Sequence, residues 1–189
     1  MSAAPSRRSA TRSATRSAVL VITAALLIGC QSTQYPPLPL AEDVDLDAFM
    51  GDWYVIGGIL TSFEDGAHNA VETYELAGDG RVATTFRFRR DGFDGEEVVW
   101  EPTGFVREGT GNAVWGMQFF WPVRLDYRIM RHDEAAGIAV IGREKRDLVW
   151  IMAREPELPE ARWKTIVDEL AAIGYDADAM RKVPQRWPE

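Results

Sequence analysis

Between residues 52 and 153 apolar and polar positions alternate in short runs rich in aromatic and β-branched residues. Turn signals cut the runs at Gly78-Asp79-Gly80, Asp91-Gly92, Asp94-Gly95, Gly109-Thr110-Gly111, His132-Asp133 and Arg146-Asp147. A period of two with turns every eight to twelve residues or so is the signature of an antiparallel sandwich or barrel. The pattern predicts strands over 52–60, 69–77, 81–89, 98–107, 113–120, 125–131, 137–142 and 147–153. Eight strands with hairpin links predict an all-β fold, an eight-stranded antiparallel up-and-down β-barrel. After residue 158 the period changes. Trp163, Ile166, Val167, Leu170 and Ile173 fall on one helical stripe, Pro159 suits the first turn and Gly174 a C-terminal cap. One amphipathic C-terminal α-helix packed outside the barrel follows, and then a tail with Pro184 and Pro188 that reads as irregular.

The N-terminus has a different character. Arg7, Arg8, Arg12 and Arg16 precede an apolar run from Ala18 to Ile28 that is too short for a stable membrane span. Residues 1–29 therefore read as a secretory signal. Leu27-Ile28-Gly29-Cys30 is similar to the lipobox of bacterial lipoproteins, which implies that Cys30, the single cysteine, takes a diacylglycerol. Residues 30–40 read as a lipidated tether and 41–189 as the folded domain. Removing the signal takes away four arginines and no acid, so the formal charge moves from −8 to −12. So acidic a domain is a poor match for nucleic acid. No cysteine remains for a disulfide, so stability must come from a packed core.

Gly51-Asp52-Trp53-Tyr54 at the start of the first strand and Trp150-Ile151-Met152-Ala153-Arg154 in the last resemble the two end motifs of the lipocalins. In that family the tryptophan closes the narrow end of the barrel and the arginine lies over it. A guanidinium stacks on an indole and still has donors for backbone carbonyls. Val71-Glu72-Thr73-Tyr74-Glu75-Leu76, Phe119-Phe120-Trp121-Pro122 and Arg154-Glu155-Pro156 resemble segments of the bacterial outer-membrane lipocalins and the apolipoprotein D type. The resemblance implies Gly51, Trp53 and Arg154 as structural residues. With Gln31 beside Cys30, it also implies outer-membrane, periplasm-facing attachment.

Alternation anchored on Trp53 and Arg154 places Val55, Gly57, Leu148, Trp150 and Met152 inward. Registering the remaining strands on the family pattern adds Glu72, Tyr74, Leu76, Thr84, Phe86, Phe88, Met117, Phe119, Arg128 and Met130. From this set the ligand-lining residues are expected to be Glu72, Tyr74, Thr84, Phe86, Phe88, Met117, Phe119, Arg128, Met130 and Trp150. The apolar majority suits a hydrophobic small molecule or lipid, a fatty acid or lysophospholipid, whose tail enters first while its head stays at the mouth. Glu72 and Arg128 stand out. Inside a barrel they orient a polar head group or pair with each other, and a register one residue different puts both outside. The chain reads as a binding protein, a monomer or weak homodimer, with no cofactor expected. His68 and His132 do not have metal-ligand spacing, and neither a nucleophile elbow nor a phosphate loop is present. Two alternatives stay open: a barrel enzyme acting on a hydrophobic substrate, and a structural envelope lipoprotein without a ligand.

Overall fold

Tight turns built on residues that tolerate positive φ fold the alternating segments back on themselves. Asp79 and Gly80 adopt φ of 52° and 67° between the second and third strands. Asp91, Asn112 and Arg146 do likewise at other links. A computed structural model describes, besides Met1, residues 35–188. The signal segment beyond Met1, Cys30 and the first tether residues lie outside the described residues. From Tyr35 onward the chain forms a compact unit of its own.

The strands are β1 (Gly51–Ile59), β2 (Ala67–Gly78), β3 (Arg81–Arg90), β4 (Glu97–Trp100), β5 (Thr103–Val106), β6 (Val114–Phe120), β7 (Val123–Asp133), β8 (Ile138–Gly142), β9 (Val149–Ala153) and β10 (Arg181–Lys182). Neighbours pair antiparallel in chain order, and β9 returns to pair with β1, so the sheet closes. This is the expected barrel. The segment 98–107 is two strands and not one. Both pair with β3, and the chain breaks between them at Glu101-Pro102. Pro102 cannot donate to a ladder, although its carbonyl still accepts from Thr84 N at 3.1 Å. β4 and β5 together fill one barrel position.

Helix α1 (Leu46–Phe49) is capped by the Asp45 carboxylate and plugs one end. Its Phe49 is wholly buried, with ring centroids 5.3 Å from Trp53, 5.3 Å from Tyr74, 5.5 Å from Trp115 and 5.2 Å from His132. Trp53 donates its indole N–H to the Phe49 carbonyl at 2.8 Å. The Arg154 guanidinium lies 3.8 Å from the Trp53 ring centroid. Arg154 also donates to the carbonyls of Asp52, Ala48 and Met50 at 2.7, 2.7 and 2.8 Å. Gly51, at φ 91°, gives the chain its bend from α1 into β1.

Helix α2 (Glu160–Ala172) buries Trp163, Ile166 and Leu170 on the outer face of the barrel, against Ile138, Val140, Val149 and Ile151. Three corrections concern β1 and the flanks. The tail is not irregular throughout, because Arg181 and Lys182 pair with Gly58 and Gly57 of β1. A bulge between Val55 and Gly57 turns Gly57 outward, so its expected inward placement fails. A side chain there would strike the Arg181 carbonyl at 2.2 Å. The second flank is the expected tether over 30–40, which is docked from Tyr35 on. Leu38 is buried in the α2 cluster, and Arg146 donates to the carbonyls of Pro36 and Ile173 at 2.5 and 2.7 Å.

Arg154→Ala removes a cation–π contact and three charged hydrogen bonds at the seam of the barrel. The expected loss is about 2–3 kcal/mol, read as a lower urea midpoint with an unchanged slope. Arg154→Lys should recover less than half of it, because an ammonium cannot reach three carbonyls while covering an indole.

Candidate functional site

Above the plugged end the barrel is hollow. A cavity of about 660 Å³ opens at the end where the β1–β2, β3–β4, β6–β7 and β8–β9 links gather. Its size lies within the range of small-molecule pockets. The wall is largely apolar: Phe86, Trp100, Met117, Phe119, Leu125, Tyr127, Leu148 and Trp150 all border it.

The expected lining residues divide three ways. Glu72, Thr84, Phe86, Met117, Phe119 and Trp150 border the cavity. Tyr74 and Phe88 point inward but are packed, Tyr74 beneath the floor against Phe49 and Trp115 and Phe88 against Phe86 and Trp100. Arg128 and Met130 lie on the outer surface, which corrects the expected register of β7. Arg128 pairs with Asp126 at 3.0 Å and Glu144 at 3.1 Å. Met130 packs under Tyr175 with the α2 cluster. Tyr127 and Ile129 occupy the interior positions instead. The cause is energetic: Arg128 outside keeps its ion pairs near water, whereas inside it would face an apolar wall. A bulge between Ile129 and Arg131 then restores His132 to the interior, against Trp53 and Phe49. Leu76, also expected inward, is exposed, because β2 runs beyond the point where Tyr74 pairs with the first residue of β1.

Alternation alone carried the correct β7 register. Leu125, Tyr127 and Ile129 are apolar, while Arg124, Asp126 and Arg128 between them are charged. Trp100 was legible in the same way from Val98-x-Trp100. Glu64 gave no signal. It belongs to a 3-10 turn (Ser62–Glu64) in the β1–β2 link, yet it is only 4% exposed. Its carboxylate accepts from Trp150 Nε1 at 2.9 Å, Thr61 N at 2.9 Å and Thr61 Oγ1 at 2.6 Å. These bonds fold the mouth link down onto the cavity wall.

The floor is polar. Tyr74 and Tyr127 share a hydrogen bond between their hydroxyls, and Tyr127 reaches the Glu72 carboxylate at 3.4 Å. Tyr127 stacks between Trp115 and Trp150. Glu72 is half-buried, its carboxyl lying at the cavity edge. Desolvation, helped by the nearby charge of Glu64, pushes its pKa up to about 8, and the Tyr127 hydrogen bond offsets only part of this. The Tyr127 phenol is raised well above its ordinary value, first by burial and then by Glu72. Thr84 is 4% exposed, and its hydroxyl has no hydrogen-bond partner among the described residues. Near the mouth Arg143 pairs with Asp147 at 3.4 Å. Among the described residues no cluster of three or more His, Cys, Asp or Glu could hold a metal ion, and no helix is long and apolar enough to cross a membrane.

Comparison with known proteins agrees with the geometry. The outer membrane lipoprotein Blc of Citrobacter freundii is 24% identical over 172 residues, covering 88% of this chain and 95% of that one. Apolipoprotein D of Cavia porcellus is 28% identical over 163 residues, covering 79% and 82%. Among solved structures, insecticyanin from the tobacco hornworm Manduca sexta superposes with a TM-score of 0.61 at 18% identity, covering 82% of this chain and 86% of that one. Lobster apocrustacyanin A1 gives a TM-score of 0.59 at 10% identity, covering 80% and 92%. Residues 44–185 match the lipocalin-like domain family, and with a closed barrel, an arginine-covered tryptophan and an open cavity, the chain belongs to the lipocalins.

Proposed function

We propose that this chain is a lipid-anchored envelope protein that reversibly holds one single-chain amphiphile, of the fatty acid or lysophospholipid size class, in its barrel. The observation that carries the reading is the cavity: one open space of about 660 Å³ with a mostly apolar wall. A core serving structure alone would fill that volume with side chains, as the layer around Phe49 does. Each methylene that leaves water for the wall contributes about 0.8 kcal/mol, so a medium-length chain supplies enough for micromolar binding after association costs. Anchoring through acylated Cys30 and placement at the outer membrane are part of the same proposal. Their support is the lipobox-like Leu27-Ile28-Gly29-Cys30 and the similarity to outer membrane lipoproteins. The reading is of a carrier and not an enzyme.

Displacement of a neutral fluorescent naphthyl dye tests it. The dye should bind one per chain with a submillimolar Kd. Met117→Trp, which fills the cavity, should weaken it at least tenfold. Arg128→Ala should leave affinity unchanged, because that guanidinium faces away from the cavity. Stoichiometric binding that persists unchanged in Met117→Trp contradicts the proposal.

The raised Glu72 pKa also has a signature in stability. Between its unfolded value near 4.5 and its folded value of about 8, the native chain holds a proton that the unfolded chain has released. This contribution is complete below about pH 4.5 and is lost as pH rises toward 8. Glu72→Gln should flatten that decline. Urea midpoints at pH 5 and pH 8 should differ less in the variant than in the parent.

A further inference from the structure

The exposed apolar side chains of the barrel gather at its open end. Phe63 stands on the β1–β2 link, and Phe119, Phe120, Trp121, Val123 and Leu125 on the β6–β7 hairpin. Trp121 is 85%, Phe63 70% and Phe120 66% exposed. The Trp100 ring joins the two groups, its centroid 6.3 Å from that of Phe63 and 6.1 Å from that of Phe119. Among the described residues the plugged end exposes only Leu76 of comparable size. A contiguous apolar rim around a cavity mouth marks a surface that meets another apolar phase.

The charges at this end are largely satisfied within the fold. Glu64 is buried and accepts from Trp150 and Thr61. Asp126 pairs with Arg128 at 3.0 Å and Arg143 with Asp147 at 3.4 Å. Glu101 and Lys145 are exposed, one of each sign. What the rim offers is therefore aromatic area and not a field, on a chain that carries −12 from Cys30 onward.

The course of the tether names the occupant. Tyr35 and Pro36 are held at this same end, by Arg146 of the β8–β9 link. Its guanidinium donates to the Pro36 carbonyl at 2.5 Å and lies 5.0 Å from the Tyr35 ring centroid. Tyr35 is five residues after Cys30, a reach of at most roughly 18 Å. The barrel wall is taller. β7, with eleven residues, runs about 36 Å and still rises about 25 Å at a 45° tilt. With acyl chains from Cys30 in a bilayer, the mouth can rest on the surface and the plugged end cannot.

We propose that the mouth rim docks on the bilayer that holds the anchor, with Phe120 and Trp121 in its interface, so that the cavity opens onto lipid. The proposal rests on the lipid-anchored carrier reading above and adds the face that meets the membrane. An indole suits that position, with an apolar body for the acyl boundary and an N–H for the headgroups. The ligand then passes between bilayer and barrel without crossing water. Because the contact is apolar, a neutral phosphatidylcholine surface suffices and salt does not weaken it.

The chain from Cys30 onward, whose compact unit begins at Tyr35, is coupled through its only cysteine to a maleimide lipid in phosphatidylcholine vesicles. The thioether stands in for the native anchor, and brominated phosphatidylcholine in the vesicles quenches any tryptophan that enters the bilayer. The coupled parent should be quenched equally at low and high salt, and Trp121→Phe should remove about half of that quenching or more. Trp121 does not border the cavity, so unchanged binding of the neutral dye verifies that the variant is folded. Leu76→Trp in the Trp121→Phe background moves the indole to the plugged end and should not restore quenching. An unquenched parent, equal quenching in Trp121→Phe, or recovery with Leu76→Trp overturns the proposal. So does an unquenched parent whose uncoupled form sediments as a dimer that Trp121→Ser dissolves, since the rim then belongs to a second copy. The carrier reading is tested apart from this by the dye titration, and the anchor by palmitate labelling in cells and its loss in Cys30→Ser.

Discussion

The stack of Arg154 on Trp53 is the contact on which the rest of the molecule depends. One guanidinium covers the indole at 3.8 Å and accounts for three carbonyls, two on α1 and its cap and one on β1. It therefore ties the first strand, the last strand and the plug helix at a single point. An open sheet would leave β1 and β9 as edges with unpaired backbone groups. Closure removes those edges, and the plug gives the tube one sealed end. Only then can the other end remain hollow without collapse, because the packing that stabilises the fold is concentrated around Phe49, Trp53, Tyr74 and Trp115.

A sealed end has a chemical consequence. Water reaches the floor only through the cavity, so a carboxyl placed there is poorly solvated. Glu72 therefore keeps its proton to about pH 8, and the neighbouring Thr84 hydroxyl lacks a hydrogen-bond partner among the described residues. The mouth mixes exposed aromatic side chains with the Arg143–Asp147 pair, and the Glu64 carboxylate turns inward to meet Trp150.

Much of this architecture was legible in the chain. Period-two runs with Gly, Asp and Asn turns read directly as eight barrel positions, and the stripe from Trp163 to Leu170 read as the outer helix. Gly51, Trp53 and Arg154 named the seam. What was not legible came from places where the pattern of two is interrupted. Bulges at Val55/Gly57 and Ile129/Arg131 shift the facing of every residue beyond them. Pro102 divides one strand into two. The β7 register is written in the alternation of Leu125, Tyr127 and Ile129 with Arg124, Asp126 and Arg128, and the family pattern does not carry it. Glu64 was beyond reach, because its burial depends on how a loop folds back onto a strand about ninety residues further along the chain.

The hollow above the floor is the proposed ligand site. Native mass spectrometry of the chain from Gln31 onward, equilibrated with total envelope lipid extract, tests it most directly. A single-chain lipid retained one per chain, and absent when Met117→Trp fills the cavity, is the predicted result. A spectrum showing only the unliganded mass across the whole extract would contradict the account.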